Sequence, residues 1–126
     1  MRRPSRDLLM WTGLLAAPAA WAGQHVAGLS LEIARCHDGA AGAGPGIPVD
    51  AITLAIGVAA AILATLGLAS AIAAWLSTRD ADDDDPPPAG RIHFMGVIGM
   101  TTSPLFLAMI VMSTAGGIAI MECVQS

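Results

Sequence analysis

Two short stretches hold both thiols of this sequence, each beside other side chains that could bind a metal. Cys36-His37-Asp38 and Met121-Glu122-Cys123 supply two thiols, a thioether, an imidazole and two carboxylates. Two long apolar runs separate them, so if each run crosses a bilayer both cysteines return to the same face. On an oxidising face a Cys36–Cys123 disulfide is the expected state, tying together the outer ends of two helices. Chain-entropy reasoning assigns roughly 4 to 5 kcal/mol to closing so long a loop in water, and less once helices are already confined to a membrane. The competing chemistry is copper(I), for which Cys36, His37, Met121 and Cys123 make a soft donor set.

His25 and Glu32 are the other candidates. They lie seven residues apart, two helical turns, and so share one face. Ionisable groups within a membrane usually face protein or water and often mark function. His25 can hydrogen-bond to a neighbouring helix, line a polar pocket or ligate a cofactor; Glu32 sits near the end of its run, within reach of Arg35. No nucleophile, base and orienting acid can be placed together, and no phosphate-binding glycine motif or zinc-protease helix occurs, so a non-enzymatic protein without a cofactor is expected. His25 and His93 belong at opposite ends of their helices and cannot share a haem. Asp82 to Asp85 lack the spacing of a calcium loop.

The elements that must position these groups are helices. Residues 51–76 read AITLAIGVAAAILATLGLASAIAAWL, without charge or proline. At helical rise this run reaches about 39 Å, against roughly 30 Å of hydrocarbon. A second such run covers residues 92–121, where the hydroxyls of Thr101, Thr102 and Ser103 can bond to carbonyls that Pro104 leaves without a donor. Its methionines, with Met95, Met100, Met109, Met112 and Met121 in this run, read as flexible packing residues rather than a metal path. The N-terminal run allows two readings. A basic start, an apolar stretch and Ala20-Trp21-Ala22 before Gly23 fit a cleaved signal peptide covering residues 1–22. A retained span over residues 8–34 fits better, because Val26 to Leu31 continue the apolar pattern and residues 8–22 alone are short for a crossing.

The fold expected is therefore all-α, a single transmembrane domain over residues 1–126 with spans at about 8–34, 51–76 and 92–121. Residues 35–50, rich in glycine and proline, form an outer loop. Residues 77–91, STRDADDDDPPPAGR, form an acidic, proline-rich inner loop that should be solvated and extended. With 55% hydrophobic and 13% charged residues in 126, the chain is too apolar for a small water-soluble domain. Its net charge of −4 argues against nucleic-acid binding. Arg2, Arg3, Arg6, Arg79 and Arg91 fall on one side and only Arg35 on the other, which places the N-terminus inside and the C-terminus outside. Trp11 and Trp75 near the inner helix ends agree, since indole rings settle at the interface. Helix contacts should use small residues: Gly57 with Ala61, Ala60 with Ala64, Gly67 with Ala71, and Gly96, Gly99, Gly116 and Gly117.

The first run, WTGLLAAPAAWAGQHVAG from Trp11 to Gly28, followed by Cys36 and much later by Cys123, resembles a group of small three-helix bacterial membrane proteins. These are often associated with cytochrome c oxidase gene neighbourhoods. The resemblance covers residues 11–36 and implies an accessory or assembly role beside a respiratory oxidase in the bacterial inner membrane. The residues themselves favour only docking against other membrane-protein helices. The alternatives are a copper-handling metallochaperone on the outer face and a small channel or holin-like pore; the latter needs a polar stripe, for which the central helix offers only Thr53, Thr65 and Ser70.

Overall fold

The computed structural model describes residues 5–38 and 48–119, and the side chains of these except for residues 35–38. Within them the chain is all-α: α1 (Arg6–Asp38), α2 (Val49–Leu76) and α3 (Ala89–Ala119), each packed against both others. α1 starts where Ser5 Oγ accepts a hydrogen bond from the Leu8 amide at 3.3 Å, an N-cap contact that occupies an otherwise orphaned donor. Asp7 and Asp50 lie in the first turns of α1 and α2, where the helix dipole favours negative charge. α2 ends as the Ser77 and Thr78 hydroxyls donate to the Ala74 carbonyl at 2.7 and 3.1 Å. Pro18 and Pro104 sit inside α1 and α3.

The helices run up, down and up. Gly13 of α1 lies against Ala71 of α2, Gly57 of α2 lies against Thr114 of α3, and Asp7 and Arg91 pair at 3.6 Å where α1 and α3 both begin. Buried positions recur with spacings of three and four on α1 and α2, and on α3 from Ile92 to Ser103 with a seven-residue step to Ile110. On α1 they are Met10, Gly13, Ala17, Ala20 and Gln24; on α2, Gly57, Ala60, Ala64, Gly67, Ala71 and Ala74; on α3, Ile92, Gly96, Gly99, Ser103 and Ile110. The mean period is 3.5 residues, that of helices whose contact seam stays in register along their length. These residues are mostly glycine and alanine because the backbones nearly touch. A Cβ on Gly13 would stand 2.6 Å from the Ala71 nitrogen, and one on Gly99 would stand 2.8 Å from the Ala71 Cβ and 2.9 Å from the Gly13 carbonyl oxygen.

Of the contacts expected from small residues, Gly57, Ala60, Ala64, Gly67, Ala71, Gly96 and Gly99 are buried. A Cβ on Gly117 would meet Thr53 Cγ2 at an ordinary 3.5 Å, whereas the space beside Gly116 is open. The large apolar side chains point the other way. Val26, Leu105 and Met112 are 67%, 66% and 76% exposed, and Leu54, Ile62, Leu66 and Val111 are also outside. α2 and α3 are long and apolar enough to cross a membrane. α1 is as long but does not reach the same apolarity, because Gln24 and His25 interrupt its middle and Arg6, Asp7 and Glu32 lie near its ends. By composition, then, two of the three expected spans qualify.

The acidic loop between α2 and α3 is folded rather than merely extended. The Asp85 amide donates to the Asp82 carbonyl at 3.0 Å, and the Asp82 amide donates back to Asp85 Oδ2 at 2.9 Å. Residues 82–88 are all exposed, as a solvated acidic turn should be.

Candidate functional site

The polar residues of α1 fall on its seam or off it according to a single step of about 100° per residue. Gln24 continues the series Met10, Gly13, Ala17, Ala20 and is buried, 8% exposed, whereas His25 next to it is exposed. The interhelical hydrogen bond considered for His25 is therefore made by Gln24. Its amide Nε2 donates to Thr114 Oγ1 at 2.7 Å and to the Ile110 carbonyl at 3.2 Å, both on α3. Thr114 Oγ1 in turn donates to the same Ile110 carbonyl at 2.8 Å. Because Gly57 has no side chain, α2 approaches this threonine closely; a Cβ there would collide with its Oγ1. Three helices thus meet at one hydroxyl.

One turn before Gln24, Trp21 lies between His25 and Phe106, with ring centroids 5.0 and 5.7 Å away. Its flank packs on the cluster of Ala17, Ala20, Ala60, Ala64 and Ile110. His25 has this aromatic contact and no hydrogen-bond partner among the described residues. Glu32 is exposed on α1; a pairing with Arg35 falls outside the described side chains. Beside the node, an open groove of about 360 Å³ runs between α2 and α3, lined by Leu54, Gly57, Val58, Ile110, Thr114 and Ile118 among others. It is apolar apart from the threonine hydroxyl.

At the other end, His93 Nδ1 lies 2.9 Å from the Thr78 carbonyl oxygen, which accepts from the Nδ1–H. The Trp75 ring stands 6.2 Å from that imidazole, while Trp11 is half exposed.

Cys36 lies in the last turns of α1, but its side chain and those of His37 and Asp38 are outside the described set, as are Met121, Glu122 and Cys123. The disulfide and the copper donor set therefore both fall beyond the described residues. Met95 packs against Met10, Ala74 and Ile92, whereas Met109 and Met112 look outward. The hydroxyls before Pro104 bond elsewhere than the carbonyl it frees, that of Met100. Thr101 Oγ1 donates to Ile98 O at 2.9 Å, Thr102 Oγ1 to Ile98 O at 2.9 Å, and Ser103 Oγ reaches across to Gly13 O at a weak 3.5 Å. Thr65 and Ser70 also donate to their own helix, to Ala61 O and Leu66 O. They offer no polar stripe into the bundle, and at Gly13, Ala71 and Gly99 its axis is closed.

No protein-family model matches this chain, and no curated protein or solved structure matches it either.

Sequence reasoning missed Gln24 as the residue that joins the helices. The signal was present in the series of small residues at 13, 17 and 20, whose spacing carries the seam to position 24.

Proposed function

We propose that this chain is a three-span inner-membrane protein of bacteria that acts, without catalysis of its own, as an accessory or assembly subunit packed against a larger membrane complex. The observation that carries the membrane reading is the distribution of side chains by size. Alanine and glycine fill most of the interior, with Met10, Ile92 and Ile110 beside them, while most of the leucine, isoleucine and valine side chains face outward on all three helices. In water that arrangement would forgo most of the available hydrophobic stabilisation and leave a continuous apolar surface. In lipid, apolar side chains gain little by turning inward, and close backbone packing of small residues holds helices together. α1 shares the pattern despite its polar centre. Leu8, Leu15, Val26, Leu29 and Ile33 are all exposed along it, over about 37 Å at helical rise.

Arg6, Arg79 and Arg91 belong to the end where α1 and α3 begin, which supports that end as the cytoplasmic one. The accessory role rests on the bundle's outward faces and on the resemblance of residues 11–36; a respiratory oxidase is the partner that resemblance suggests. Extraction of the tagged protein in a mild detergent, followed by mass spectrometry, tests it. Co-purification of stoichiometric membrane-protein subunits is expected, and a chain that runs alone as a monomer overturns the accessory role. Membrane-impermeant thiol labelling of reduced intact cells tests the orientation: Cys36 and Cys123 should both react from outside. Thiol titration with and without reductant, together with copper binding, separates a structural disulfide from a copper-handling corner.

A further inference from the structure

Among the described residues, only two buried side-chain polar atoms lack a hydrogen-bond partner, Trp21 Nε1 and Gln24 Oε1. One is a donor and the other an acceptor. They lie three residues apart on α1, one turn, and so on the same face, and both side chains pack against α3. Trp21 stands 5.7 Å from the Phe106 ring, and Gln24 is anchored by its Nε2 to Ile110 O and Thr114 Oγ1. That anchoring fixes the amide. Turned over, it would present Oε1 to the Ile110 carbonyl and lose the donation that two acceptors now receive. The free oxygen is therefore left to find a donor, and the indole N–H an acceptor.

The geometry points to a binding site for one water molecule between Trp21 and Gln24, inside the bundle at the α1–α3 contact. Water is the small molecule that meets both demands at once, accepting from the indole N–H and donating to the amide oxygen. Buried waters usually take two to four such partners. Left unpaired, both atoms forfeit the hydrogen bonds they make to water in the unfolded chain. The site lies next to the Gln24–Thr114 contact and steadies the Gln24 side chain that makes it, and it does not depend on the accessory role proposed above.

The test is nuclear magnetic resonance of the full chain, labelled with 15N-tryptophan, in lipid nanodiscs. Three indole N–H signals are expected, and Trp21→Phe identifies the one that matters. In the unsubstituted protein that proton should show a cross-peak to water, and Gln24→Met should abolish the cross-peak. A Trp21 indole proton without a water cross-peak overturns the proposal, including the case in which a shifted signal shows it bonded directly to Gln24. A cross-peak that survives Gln24→Met unchanged overturns it as well. If that variant does not insert, the spectrum of the unsubstituted protein decides alone.

Discussion

Gln24 Nε2 donates to Thr114 Oγ1 at 2.7 Å, joining the first and third helices across ninety positions of sequence. The same hydroxyl faces Gly57 of the second helix, so one polar contact registers all three. Interhelical hydrogen bonds in membranes are worth about 0.6 kcal/mol on average and reach about 1.7 kcal/mol. A double-mutant cycle of Gln24→Leu and Thr114→Val, read by reversible unfolding in mixed micelles, should give a coupling of about 0.5–1.5 kcal/mol. Additive single effects would mean that the two side chains do not support each other.

Close approach at Gly13 predicts strong intolerance there. Alanine would place its Cβ 2.6 to 2.9 Å from Ala71, and part of what it meets is backbone that cannot rotate away. Gly13→Ala should lower stability by about 1–3 kcal/mol, as overpacking generally does. Gly28→Ala is the control: nothing lies within 4 Å of the added carbon, and the helix gains from losing a glycine. Equal effects of the two substitutions in the same unfolding assay would remove the argument for backbone contact.

The same seam predicts that the N-terminal segment is retained. Met10, Gly13, Ala17 and Ala20 all precede position 23, and they cover Ala71, Ala74 and Ala60 on the neighbouring helix. Cleavage after Ala22 would remove them and leave a two-helix remnant with an open small-residue face. Intact-mass measurement on the purified protein should therefore give a mass that includes residues 1–22. A mass lower by residues 1–22 would refute retention.

The Asp7–Arg91 pair should matter little to stability. Its atoms are 3.6 Å apart and its side chains 63% and 54% exposed, so solvent screens the attraction. Asp7→Asn should change stability by less than about 0.5 kcal/mol, with no more effect at low salt than at high salt beyond that range. A larger loss would show that the pair is shielded from water.

How much of this was legible beforehand differs from residue to residue. The apolar runs at 51–76 and 92–121 announce their helices by length alone, since every backbone group in so oily a stretch must be satisfied internally. Arg35 to Asp38 were expected to begin a loop, yet α1 continues to Asp38, because helix ends depend on local competition too fine to read from composition. The turn at Asp82 to Asp85 was hidden by its charge, which suggested extension; the Asp85 carboxylate instead closes the turn onto the Asp82 amide.

By itself, the sequence determined that there are three helices, roughly where they begin and end, and that small residues would line their contacts, because length, hydropathy and residue size are properties of each segment. Only the tertiary structure decided which way each helix is turned. Gln24 and His25 are neighbours of similar polarity, and the small residues at 13, 17 and 20 single out position 24 only once that series is known to be the contact face. Gln24 faces inward because the backbones at Gly13, Ala71 and Gly99 approach until they touch, and that contact fixes the rotation of α1 and carries His25 to the outside.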